Sequence, residues 1–183
     1  LNNSYATDIT RTWPVNGRYS DEQAALYDIV LRAQKAAIAS CQIGSIYGAV
    51  HKSAAMEIID GLTDFGLLKG NSDDIYNKDA HALFFPHGVG LLIGLDVHDL
   101  EDLGEDQVGY ADGYQRDADK LGRRYLRLNR KLDDGFVVTV EPGIYFIPAC
   151  LEDKAIEERF GAFVDFEKAR SLLSFGGVRI EDD

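Results

Sequence analysis

The chain has 183 residues, 45% of them hydrophobic and 27% charged, the balance of a globular domain rather than a disordered segment. A chain this long can bury roughly 70% of the surface it exposes when unfolded, so one core is available. Thirty-one acidic residues against 19 basic ones leave a formal charge of −12; phosphate backbones and anionic lipid would repel it, which excludes nucleic acid and membrane surfaces as expected partners.

Leu1 is not a methionine and Met56 is the only one present, so the sequence is expected to start downstream of its own start codon. The first residues are polar and show no leader pattern. Tyr5 to Tyr19 reads as strand, turn at Pro14 to Gly17, strand. A first helix is predicted over Ser20 to Ser40, because Ser20 and Gln23 have capping-box spacing and Leu26, Ile29, Val30, Ala33 and Ala37 form one stripe. A second is predicted over Ser45 to Asp60 from the row Ile46, Val50, Ala54, Ile58, with Gly70 as a C-terminal cap. From His81 the texture becomes strand and loop. The longest apolar stretch, Val89 to Leu95, carries two glycines and is too short to span a bilayer. The acids from Asp96 to Asp106 read as a solvated loop. Phe136 to Glu141 is a predicted strand ending at Pro142-Gly143, Leu151 to Leu173 a loop with short helices, and Phe175 to Glu181 a last strand. This order suggests an α+β fold. Cys41 and Cys150 are too few for a disulfide framework and suit a reduced, cytoplasmic compartment.

Three acids stand in strand contexts. Glu141 closes a Val/Thr run, Glu181 ends an apolar run with Arg179 on its face, and Asp8 shares a face with Thr10. A charge on a buried face is costly unless paired. Three acids on three strands could converge on a divalent cation, and oxygen donors favour manganese or magnesium. The plain alternative is that each sits at a strand end in water. His51 and His81 read as structural or solvent-facing. His87, beside Gly88, and His98, between Asp96 and Asp99, could shuttle protons or donate to a substrate, or be ordinary surface histidines.

Four blocks then stand out. They are Tyr5 to Gly17 (YATDITRTWPVNG), His87-Gly88-Val89-Gly90 leading to Gly94-Leu95-Asp96-Val97-His98-Asp99, Val140-Glu141-Pro142-Gly143-Ile144-Tyr145, and Gly177-Val178-Arg179-Ile180-Glu181-Asp182. In this order they resemble the pita-bread metallopeptidases of the aminopeptidase P and prolidase branch. The resemblance implies an α+β pita-bread fold, a curved and mostly antiparallel sheet with both long helices on its outer face. It implies a hydrolase that cleaves Xaa-Pro bonds, with a dinuclear site, usually manganese, whose bridging hydroxide attacks the scissile carbonyl. Asp8 matches a bridging aspartate and Glu181 a bridging glutamate. Glu141 matches a metal ligand that also handles the nucleophile's proton. His87 and His98 match histidines that contact substrate and stabilise the tetrahedral intermediate, and Arg179 an arginine near the substrate pocket. The implied partner is a peptide with proline at the second position. Relatives are often dimers, so a homodimer is among the expected assemblies.

The sequence departs from the family pattern in two places. In the motif His-Gly-x-x-His the second histidine is a metal ligand, and here that position is Leu91. The family's first ligand, an aspartate, would fall just before Leu1. Residues 1–183 are therefore expected to be a C-terminal catalytic pita-bread domain, incomplete at both ends. The alternative is a pita-bread pseudoenzyme that binds peptides, or a metal-free relative, such as creatinase, that hydrolyses another C–N bond.

Overall fold

Ser20 caps the first helix, α1 (Asp21–Ser40), in both directions: the Gln23 amide donates to Ser20 Oγ and the Ser20 amide to Gln23 Oε1, at 3.2 and 2.9 Å. The computed structural model describes residues 3–111 and 113–183. The predicted stripe of α1 is its buried face, with Gln34 added to it. Helix α2 is Tyr47–Asp64, shifted from the predicted span at both ends. Its start moves because Ile46 is engaged in an antiparallel bridge with Lys131. Its end moves because Gly61 stays helical and packs on α1, where a Cβ would lie 2.7 Å from the Ile29 side chain. The turn that ends α2 falls on Gly66 (φ +80°), not on Gly70 as the sequence suggests; Leu67 then donates back to the Leu62 carbonyl at 2.8 Å. Gly70 instead precedes Asn71, whose side chain caps the short α3 (Ser72–Asn77).

Every described strand pairing is antiparallel. The regular part is one pair, β1 (Gly143–Tyr145) and β2 (Gly177–Arg179), in register Ile144 to Val178. Isolated bridges extend it: Val140 to Asp182, Glu181 to Thr10, and Val138 to Leu92. Residues 88–93, 138–145, 177–182 and 8–12 thus lie side by side. The expected strand over 136–141 is extended but not regular, since Val138 bridges one neighbour and Val140 the other. The regular strand lies just past Pro142 rather than before it. The predicted return strand after Gly17 does not form, because Arg18 and Tyr19 lead straight into the Ser20 cap. The 151–173 region does carry short helices after α4 (Glu105–Gly109): α5 (Pro148–Leu151), α6 (Lys154–Phe160) and α7 (Phe166–Ser171). Asp153 and Asp165 cap the last two.

Both long helices reach the paired segments. Gln34 of α1 donates to Asp182 at 2.7 Å, and the Tyr47 hydroxyl at the head of α2 donates to the buried Thr139 carbonyl. Gly90 allows that approach; a Cβ there would overlap both the Thr139 carbonyl and the Tyr47 hydroxyl. The core, with Ile58, Phe84, Phe85 and Phe160 fully buried, lies beneath these contacts. The fold is α+β.

Candidate active site

Glu141 is fixed by its neighbours before any ligand is considered. Its amide donates to the Val89 carbonyl at 2.7 Å, and Thr139 Oγ1, two residues earlier and on the same face, donates to Glu141 Oε1 at 3.2 Å. Thr139 Oγ1 also accepts the Leu91 amide at 3.0 Å, so one hydroxyl ties positions 91 and 141 together. The Glu141 carboxylate is 9% exposed, with Arg179 Nη1 at 3.4 Å. Its pKa rises to about 7, first through burial and then through the charge of Glu181, with Asp8 adding to the effect and Arg179 and Thr139 opposing it. Burial disfavours the charged form and a like charge does the same.

Glu181 is more deeply placed, at 1% exposure. Thr10 Oγ1 donates to its Oε2 at 2.6 Å, whereas Oε1 is buried and, among the described residues, without a hydrogen-bond partner. Its pKa is raised by burial and by Asp8, against the Thr10 hydrogen bond and Arg179. Asp8 is half-buried; its amide donates to the Asp183 carboxylate at 3.1 Å.

The two histidines are built differently. His87 Nδ1 lies 2.7 Å from the Gly88 carbonyl, an acceptor, so that nitrogen carries the proton and Nε2 accepts from the Tyr145 hydroxyl at 2.9 Å. Arg179 Nε donates to the same hydroxyl at 2.7 Å. Burial lowers the His87 pKa to about 4, with Arg179 acting in the same direction, so the ring is neutral near pH 7. His98 is held in left-handed backbone (φ +64°), a conformation costing about 1–2 kcal/mol for a residue with a Cβ. Its Nδ1 faces Glu101 Oε2 at 3.2 Å.

His87, Leu91, His98, Arg127, Glu141 and Arg179 line one cleft of about 240 Å³. Asp8 and Glu181 do not line it; they lie behind Glu141, on the segments joined by the Thr10 to Glu181 bridge. The expected convergence of the three acids is thus partial. They sense one another's charge, yet among the described residues no three His, Cys, Asp or Glu side chains form a set that could hold a metal ion. The donor chemistry nonetheless suits a hard cation. An unpartnered buried carboxylate oxygen on Glu181 and the raised Glu141 are both relieved by positive charge. Leu91 offers no donor atom, and the position does not fit a metal.

Residues 1–183 match metallopeptidase family M24. The chain belongs to that family. It is 40% identical over 179 residues to the "Probable Xaa-Pro aminopeptidase" of Verticillium alfalfae, covering 98% of this chain and 37% of that protein. It is 38% identical to the "Xaa-Pro dipeptidase" of Rattus norvegicus, covering 98% and 35%. The fold is similar to Pseudomonas aeruginosa aminopeptidase PepP, with a TM-score of 0.71, 35% identity, and 99% and 33% of the two chains covered. It is also similar to a Zn-substituted Escherichia coli aminopeptidase P in complex with product, with a TM-score of 0.68, 33% identity, and 98% and 32% covered. The M24 chain therefore spans about a third of the length of the relatives it matches. Its α+β architecture is the pita-bread fold of the aminopeptidase P structures.

Within this M24 chain, sequence reasoning missed Thr139, Tyr145, Arg127 and Glu101 as parts of the site. Thr139 had a signal, since it stands two residues from Glu141 and therefore on its face. Tyr145 closes the Glu141 block but gives no hint that its hydroxyl joins His87 to Arg179. Arg127 enters the cleft from 26 residues beyond Glu101, a distance no local pattern spans. The acidic stretch is likewise not wholly solvated: Glu101 pairs with Arg127 at 2.6 Å, and Glu105 with Arg116.

Proposed function

We propose that residues 1–183 form the C-terminal catalytic part of a metal-dependent peptidase that cleaves Xaa-Pro bonds. The observation that carries this reading is the buried carboxylate pair. Glu141 sits in the cleft wall with a pKa near 7, and Glu181 behind it has an oxygen that finds no protein partner. Asp8, Glu141 and Glu181 would hold the cation, manganese by family resemblance. A divalent cation there would supply the charge that acidifies water and polarises a carbonyl.

The chain's own residues do the rest. Glu141, held at a pKa of about 7, can take a proton from an attacking water and return it to the departing nitrogen, since a base is most effective near the working pH. Thr139 keeps its Oε1 in place. His98 and Arg127 form the cleft wall that a peptide would meet, and Arg179 balances Glu141 while orienting Tyr145. His87 has both ring nitrogens engaged inside the protein, so it would reach a substrate group only by exchanging one of those bonds. A peptide with proline second is the substrate class, a homodimer the assembly and the cytoplasm the compartment, where the free thiols of Cys41 and Cys150 would persist.

The test uses the protein at its full natural length, stripped of metal and refilled with manganese. Cleavage of an Xaa-Pro dipeptide or tripeptide that a chelator abolishes and manganese restores is expected. Peptide binding without hydrolysis at saturating manganese would instead favour a pita-bread binding protein.

A further inference from the structure

We propose that Glu101 is a positioning residue that sets His98 and Arg127 together in the cleft wall through a single carboxylate oxygen. The inference rests on the peptidase reading above and names a residue the four motif blocks do not contain. Glu101 Oε2 lies 3.2 Å from His98 Nδ1 and 2.6 Å from Arg127 Nη1. The side chains of His98 and Arg127 are 40% and 39% exposed, that of Glu101 only 18%. The carboxylate is thus the buried wedge between two more open groups. His98 and Arg127 line the cleft and Glu101 does not, so it acts through them.

The backbone makes the wedge necessary. His98 and Leu100 both lie in the left-handed region, at φ +64° and +63°. This sharp turn brings the Glu101 amide back to the His98 carbonyl at 3.3 Å. Such backbone persists only where surrounding contacts over-determine it, and the Glu101 side chain supplies two of them. A carboxylate offers acceptors only, so His98 must donate from Nδ1, which leaves Nε2 as the ring's free acceptor. Without Glu101 the imidazole would lose both its tautomer and its orientation. Arg127 would keep only Glu105, at 3.5 Å.

The test pairs spectroscopy with kinetics in the full-length protein. Long-range ¹H–¹⁵N correlation of the histidine rings at pH 8, with His98 assigned from a His98→Asn spectrum, should show the Nδ1–H tautomer in the wild type. Glu101→Ala should convert it to Nε2–H, while Glu101→Gln, which keeps an acceptor oxygen, should retain Nδ1–H. On an Xaa-Pro peptide, Glu101→Ala should lower kcat by about 10- to 100-fold, the size expected when a catalytic geometry slips by an ångström, and Glu101→Gln should restore part of it. If the wild type cleaves no Xaa-Pro bond, the peptidase reading fails; the tautomer change alone would then uphold the positioning role. An unchanged His98 tautomer in Glu101→Ala overturns the proposal, as does an altered tautomer with unchanged kcat and KM in an active enzyme.

Discussion

Position 91 carries a four-carbon side chain, 5% exposed, in the wall it shares with Glu141. Its amide is already fixed by Thr139 Oγ1, so a change of side chain there need not disturb the backbone. An imidazole at this site would add a nitrogen donor to a group of carboxylates that lacks one. Leu91→His should raise manganese affinity in the full-length protein by more than the roughly 10- to 100-fold linked to a second-shell partner. Isothermal titration and metal analysis after dialysis measure this without reference to turnover. An unchanged affinity would mean that another donor already serves the cation. Residues were legible where charge conflicted with context: Asp8, Glu141 and Glu181 stand out because an acid within an apolar extended run requires a reason. Glu101 and Arg127 were hidden among other charges, and only the tertiary fold brings them together.

Helix α2 and the turn after α3 bury a histidine each. His51 is 1% exposed with its ring 5.2 Å from Phe85, and His81, equally buried, stacks on Tyr76 at 5.1 Å. Burial lowers their pKa values to about 3 and about 4. The unfolded chain titrates both near 6.5, so below that pH it binds protons the folded chain refuses. Stability is then fully present above pH 6.5 and is lost as pH falls toward 4 and then 3. Glu141 acts in the opposite sense, weakening the fold as pH rises through about 7. Urea titrations from pH 7 to pH 4 should show falling stability, and His51→Gln should reduce the slope by about 1.4 kcal/mol per pH unit, one proton's worth. The comparison is of slopes, so a less stable variant at pH 7 still answers the question. Equal slopes would mean His51 titrates in the folded state. At this scale the helices were readable because a 3.6-residue period survives in any context. The strands were less so, because Val138 and Val140 bridge opposite neighbours, and the sequence records apolarity but not which side pairs.

Across the whole molecule two terms of opposite sign meet at one edge. Residues 5–15 alternate with period two: Ala6, Asp8, Thr10, Thr12 and Pro14 turn partly inward, while Tyr5, Ile9, Trp13 and Val15 are exposed, Trp13 at 68%. An extended segment with an apolar outer row invites pairing with another chain. A charge of −12 on each copy opposes it, and salt screens that repulsion, the Debye length falling from about 30 Å at 0.01 M to about 8 Å at 0.15 M. The 183-residue polypeptide should therefore self-associate at tens of micromolar, more strongly at 0.15 M salt than at 0.01 M, by sedimentation velocity. Trp13 is the only tryptophan, so its emission should shift to the blue as association proceeds. The pair Ile9→Lys and Trp13→Lys should abolish the association. Two added positive charges lessen the repulsion between copies, so that loss can come only from the apolar row. A chain that stays monomeric at both salt concentrations, with Trp13 emitting as in water, would show that repulsion dominates this edge.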